Sequence, residues 1–183
     1  IIGKPNAGKS TLLNKIMAKK VSITTHKAQT TRHKIKAIKN TDEAQIIFSD
    51  TPGLEKKIKS NLNKHLNRTA QLAAHDADTI IFLVSATTWN ENDEWALKHV
   101  KDASRPTILV INKVDHLKNK DELLPLIDNL KDKYDFSDIV AISALKDKSF
   151  NNLLTTIISH LPEQDPIYED QEQFLSDENF AIT

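Results

Sequence analysis

Gly3-Lys4-Pro5-Asn6-Ala7-Gly8-Lys9-Ser10 fits the pattern G-x-x-x-x-G-K-[ST], and these residue types at this spacing can hold a run of phosphates. The glycines let backbone N–H groups turn inward, and Lys9 has the reach for β and γ oxygens. Ser10, with Thr11 beside it, offers a hydroxyl to Mg²⁺ at a helix N-terminus whose dipole favours anions. A second stretch, Ile46 to Glu55, is an apolar run that ends in Asp50-Thr51-Pro52-Gly53. A carboxylate at Asp50 can hold Mg²⁺ through water, and the Gly53 N–H can donate to a γ-phosphate. The same four residues would also make an ordinary turn, so they gain meaning from the first motif. Leu54 follows, and a leucine cannot orient a water molecule.

Asn112-Lys113-Val114-Asp115 adds a choice of base. Guanine presents N1–H and its exocyclic amine side by side, and one carboxylate, Asp115, accepts from both; adenine would leave that carboxylate unpaired. Asn112 can bridge base and phosphate loop, and the stem of Lys113 can cover the ring. Ser143-Ala144-Leu145 follows the apolar run Ile139 to Ile142. There the Ala144 N–H suits guanine O6 and would clash with the adenine amine. Thr24 to His33 is polar, basic and without periodicity, the composition of a mobile loop. Within Gln29-Thr30-Thr31-Arg32-His33 a threonine, Thr31 ahead of Thr30, is suited to complete the Mg²⁺ shell when γ-phosphate is present and so to order the loop. The metal set predicted from these residues is Ser10, Thr31 and Asp50. His26 and His33 do not have metal-pair spacing, and Trp89 and Trp95 read as packing residues.

Bringing these stretches to one place requires a scaffold, and the chain spells one. Apolar spacing predicts a helix over 11–18, a β-hairpin from 34–39 and 44–48, and a helix over 59–75. Strands at 79–84, 107–111 and 139–142 then alternate with helices at 91–101, 120–133 and 149–160. The expectation is an α/β fold: a mostly parallel six-stranded sheet with one antiparallel edge strand and helices on both faces. The 183 residues suit one such domain over 1–162, and the acidic, irregular 163–183 reads as a linker into something further. Ile1-Ile2 is short for a strand that feeds a glycine loop, so an N-terminal stretch is expected before it. There is no cysteine, which excludes disulfides and thiolate metal sites, and no apolar run reaches membrane-spanning length. Formal charge is zero, yet residues 1–75 hold 15 Lys and Arg against 4 acids, and residues 76–183 hold 10 against 21. Such polarity can orient a protein toward a polyanion.

The stretches GKPNAGKS, QTTRH, DTPG, NKVD and SAL, in this order, resemble the translation-factor class of GTPases. KPNAGKSTLLNK, VSITTHKAQTTRHKI and DTPGL resemble the bacterial Era family more closely, over residues 1 to about 162. That resemblance implies a cytoplasmic, Mg²⁺-dependent switch that binds and slowly hydrolyses GTP during maturation of the small ribosomal subunit. It implies a C-terminal KH domain on 16S rRNA, begun by 174–183, some peripheral membrane contact, and no DNA partner. Era-like members carry an apolar residue where Leu54 stands, so the catalytic set becomes Asn6, Lys9, Thr31 and Gly53. Asn6 would hold K⁺ between the phosphates, where the cation would offset developing charge. Two rivals remain: a P-loop ATPase or kinase, and an RNA-binding module with incidental hydrolysis.

Overall fold

The computed structural model describes residues 1–17, 35–49, 53–54, 56, 61–147 and 150–168. Its elements are α1 (Lys9–Met17), β1 (Ile35–Asn40), β2 (Gln45–Ser49), α2 (Asn61–Asp76), β3 (Ile80–Ser85), α3 (Glu91–Ala103), β4 (Thr107–Asn112), α4 (Leu123–Lys131), β5 (Asp138–Ala141) and α5 (Asn151–Ile158). Strands β3, β4 and β5 pair in that order, all parallel. Every residue of β3 and β4 is buried, which is why they read as unbroken apolar runs rather than alternating ones. Ile2 bridges in parallel onto β3: its N–H donates to the Ile81 carbonyl at 2.8 Å and its carbonyl accepts from the Leu83 N–H at 2.7 Å. β1 and β2 form the antiparallel hairpin, closed by Thr41, whose hydroxyl donates to the Ala44 carbonyl and accepts from the Ala44 N–H. Among the described residues the expected single sheet is thus seen as two ladders, one of two strands and one of three, with Ile2 bridging onto the larger.

The core divides by the pleat of β3. Ile81 and Leu83 pack toward α1 and α5 with Leu12, Ile16, Phe48 and Leu153. Ile80, Phe82 and Val84 pack toward α2, α3 and α4 with Ala70, Leu97, Val100 and Leu130. Helices therefore cover both faces. Trp89 stands edge-on to Phe82 and Trp95 edge-on to His99, so both tryptophans pack, as their sequence context suggests. Helix α3 starts with a full capping box, in which the Asn90 side chain and Asp93 serve each other's backbone N–H groups. Helix α4 starts three residues later than its periodicity predicts, because 120–122 is a 3₁₀ turn capped by Asn119; Pro125 then lies in the first helical turn, where a missing N–H does no harm. The loops after Ile2, β3, β4 and β5 all leave from the carboxyl ends of parallel strands, where open α/β sheets bind ligands. Beyond α5, residues 163–168 are described, and Tyr168 exchanges two hydrogen bonds with the Gln45 side chain; 169–183 lie outside the described residues.

Candidate functional site

The phosphate loop turns from Ile2 into α1 through two left-handed residues, Asn6 (φ 61°) and Gly8 (φ 105°). Asparagine tolerates that region and glycine prefers it. A Cβ at Gly8 would also press into the Asn112 side-chain amide. Lys9 folds back along the loop, its ammonium donating to the carbonyls of Gly3 at 2.9 Å and Lys4 at 2.8 Å. A phosphate entering the loop would compete for that ammonium. Ser10 and Thr11 are exposed in the first turn of α1, where helix N–H groups have no intrahelical partner. An exposed hydroxyl at that point fits a Mg²⁺ that takes few protein ligands and relies on phosphate oxygens. No cluster of three or more His, Cys, Asp or Glu suited to a metal occurs among the described residues.

Asn112 ties the motifs together from the end of β4. Its Nδ2 donates to the Ala7 carbonyl at 2.8 Å, while its Oδ1 accepts from the N–H groups of Lys113 at 2.7 Å and Ala144 at 2.9 Å. Three stretches far apart in sequence thus meet on one side chain that is 2% exposed. Lys113, left-handed at φ 65°, sends its ammonium to the Asn6 carbonyl at 2.7 Å, so its stem spans from the base side to the phosphate loop. Val114 faces inward against the α2–α4 core, and its N–H donates to the Ile142 carbonyl. Asp115 is the acid the pattern singled out. A hydrogen bond from Ser143 holds its carboxyl below the usual carboxylate range; its own backbone, then His116 and Lys146, add to this against the opposing effect of burial. His116 Nε2 and the Lys146 ammonium each lie 3.5 Å from Oδ2. The Ser143-Ala144-Leu145 turn is set by Asp147, whose Oδ2 accepts from the Ser143 N–H at 2.7 Å. Leu145 is exposed at the same turn.

Two further residues of the motifs have their side chains engaged inside the fold. Leu54 is 1% exposed and packs with Ile2, Ala70 and Phe82, while its N–H donates to the Gly3 carbonyl at 3.2 Å. Its side chain and N–H are both used within the fold. Lys4 turns its ammonium away from the loop into an ion pair with Asp93 at 2.6 Å, leaving only its backbone for a phosphate. Pro5 stands against Gly53: a Cβ there would lie 2.9 Å from the Pro5 nitrogen. Asp50, Thr51, Pro52 and the stretch Gln29, Thr30, Thr31, Arg32 and His33 lie outside the described residues. Residue-type reasoning missed Asp93, Asp147, His116 and Lys146. Asp147 had a local signal, an acid four residues after a serine at a strand end, whereas Asp93 had none, because its partner is 89 positions away.

Compared with known proteins, residues 1–113 match the profile of the family described as 50S ribosome-binding GTPase. The chain belongs to that GTPase family. Within it, the GTPase Era of Actinobacillus pleuropneumoniae serotype 5b (strain L20) is 47% identical over 171 residues, 90% of this chain and 56% of that protein. Two solved structures superpose at 42% identity, each over 92% of this chain and 57% of the other. They are an Aquifex aeolicus Era variant bound to GDP·AlF₄⁻, with a TM-score of 0.77, and Era in complex with MgGDPNP and nucleotides 1506–1542 of 16S ribosomal RNA, at 0.78. The chain therefore spans a little over half the length of these relatives, and the P-loop GTPase fold and the Era resemblance read from its motifs both stand.

Proposed function

We propose that this chain is the nucleotide-operated part of an Era-type switch, which binds GTP, hydrolyses it slowly and thereby changes its hold on 16S rRNA during small-subunit maturation in the cytoplasm. The observation that carries the reading is Asp115, an acid held ionised by Ser143, His116 and Lys146 and joined through Asn112 to the phosphate loop. Support also comes from relatives whose solved forms hold MgGDPNP with 16S rRNA, and GDP·AlF₄⁻.

In the mechanism Asp115 accepts both N–H groups of guanine, and the stem of Lys113 covers the ring. Backbone N–H groups of the loop from Gly3 to Thr11 cradle the phosphates, and Lys9 exchanges its loop carbonyls for β and γ oxygens. Ser10, with Asp50 and Thr31, would hold Mg²⁺, which neutralises charge on those oxygens. Gly53 offers its N–H to the γ-phosphate. Leu54 sits in the core and orients nothing, so Asn6 is assigned the holding of K⁺ and the switch stretch 29–33 the orienting of water. No helix among the described residues is long and apolar enough to cross a membrane.

Competition against fluorescent GDP tests the base choice. GTP should displace it at micromolar concentration while ATP fails at millimolar; equal displacement would favour the ATPase or kinase reading. Hydrolysis in KCl should exceed that in NaCl, and equal rates would remove K⁺ from the mechanism.

A further inference from the structure

We propose that Asp93 is a positioning residue for phosphoryl transfer: through its buried pair with Lys4 it fixes the phosphate loop against the segment that carries Gly53. The inference rests on the GTPase reading above. The Lys4 ammonium donates to the Thr88 carbonyl at 2.8 Å, the Thr88 hydroxyl at 3.1 Å and Asp93 Oδ2 at 2.6 Å. An ammonium has three donors, so this one is saturated and has nothing left for a phosphate. The two side chains are 8% and 0% exposed. Asp93 Oδ2 also accepts from the Asn90 N–H at 2.9 Å, while Oδ1 is buried with no hydrogen-bond partner. Stability alone does not account for the pair. A buried ion pair with one oxygen unsatisfied is often no more stable than well-packed apolar residues of the same size, although removing one partner alone is costly.

What the pair does is fix where Lys4 sits, and the neighbours of Lys4 are the parts that handle the γ-phosphate. The Gly3 carbonyl accepts from both the Lys9 ammonium and the Leu54 N–H, and the Lys4 carbonyl accepts from Lys9 again. Pro5 is the residue against which Gly53 is pressed. Moving Lys4 by a fraction of an ångström therefore shifts Lys9 and Gly53 together. The same first turn of α3 also receives the chain beyond Gly53: the Lys56 N–H donates to Asn92 Oδ1 at 3.0 Å, and the Lys56 ammonium pairs with Glu91 at 3.1 Å. One helical turn thus holds the phosphate loop and the segment past Gly53 in register. GDP has no γ-phosphate, so losing that register should affect GTP far more than GDP.

The experiment measures GDP affinity, affinity for a non-hydrolysable GTP analogue, kcat, KM and Tm in four variants. Asp93→Asn should keep GDP affinity within about threefold while analogue affinity and kcat fall tenfold or more. Asn90→Ala, which weakens the cap of the same turn without touching Lys4, should lower Tm and leave kcat within twofold. Lys4→Met should lose rate as Asp93→Asn does, and Lys4→Arg, which keeps a cation for Asp93, should recover most of it. Where the single changes fail to fold, the double change of Lys4→Met with Asp93→Leu replaces the pair by apolar contact; it should regain Tm without regaining kcat. Wild-type kcat in Asp93→Asn or in the double variant overturns the proposal, as does a loss of rate no larger than the loss of GDP affinity. A wild-type protein that binds no GTP would instead overturn the functional reading and this inference with it.

Discussion

At the scale of single residues, one acid carries the proposed choice of base and one buried leucine stands where a water-orienting side chain would be. Asp115→Ala removes an acceptor that serves two adjacent donors, and charge-assisted bonds of this kind are the strong ones; GDP affinity should fall roughly a hundredfold or more, which calorimetry would register, with ATP affinity unimproved. The pH dependence follows from the depressed carboxyl. Its contribution to the folded state is fully present above the unfolded carboxylate pKa of about 3.9 and is lost only as pH falls through the lower folded value. Binding needs the ionised form, so the contribution of Asp115 to GDP affinity should stay flat on the acidic side down to pH 5. A decline between pH 7 and 5 in the isolated Asp115 contribution, read as the difference between wild type and Asp115→Ala, would contradict this assignment. Leu54→Gln is the complementary case. A glutamine at that position looks like a gain of a water-orienting group, but Leu54 is 1% exposed in the α2-side core. The change buries an amide and removes apolar contact, costing roughly 3 kcal/mol, which for a domain of this size lowers Tm by about 6–12 °C. Thermal unfolding should show that drop, and GTP hydrolysis should not rise.

At the scale of elements, the periodicity of the chain is sufficient to find the helices and strands, because each buries a face whose spacing is visible: β3 and β4 as unbroken apolar runs, β1 as K-I-K-A-I-K alternation, α1 as apolar residues at 12, 13, 16 and 17. The motifs at their ends were legible for the same reason that they work, since each needs a particular residue type at a strand terminus. What periodicity could not supply was the side chain that joins one terminus to another. Asn112 reads as a bridge from base to phosphate loop, and in the fold its amide does reach the Ala7 carbonyl; that its carbonyl oxygen also accepts from the Ala144 N–H is the part its motif does not show. Lys4 lies within the phosphate-loop pattern, yet the partner of its ammonium lies on α3. Long-range pairing of polar groups leaves no period in a sequence. That junction gives an element-scale prediction: Gly8→Ala forces a left-handed φ on a residue with a Cβ and drives that Cβ into the Asn112 amide. The phosphate loop and the guanine end should then separate, lowering affinity for GDP by a hundredfold or more while Tm falls by only a few degrees. Fluorescent GDP titration beside a melting curve measures both, and unchanged affinity would show that the Asn112 bridge is dispensable.

At the scale of the whole molecule, the charge gradient and the switch must be reconciled. A chain with 15 cations against 4 acids in its first 75 residues and the reverse bias after them has a charge pattern suited to a polyanion such as the proposed RNA partner, whatever nucleotide it holds. A purely electrostatic hold of that kind releases counterions. If about four phosphates of a single strand are engaged, affinity should fall roughly fiftyfold between 50 and 200 mM salt. The switch reading requires something more, because a ligand shifts an equilibrium only by its differential affinity for the two states. GTP and GDP differ by one phosphate that Lys9 and Gly53 are proposed to meet, so a difference in RNA affinity between the two forms must arise from the ordering of groups around it. Salt screens both forms alike. The ratio of RNA affinities in the GTP-analogue and GDP forms should therefore persist while each affinity declines along the salt series, measured by anisotropy on a labelled 16S 3′-end fragment with the protein held in each form. A ratio of one at every salt concentration would leave an RNA-binding module in which hydrolysis is incidental.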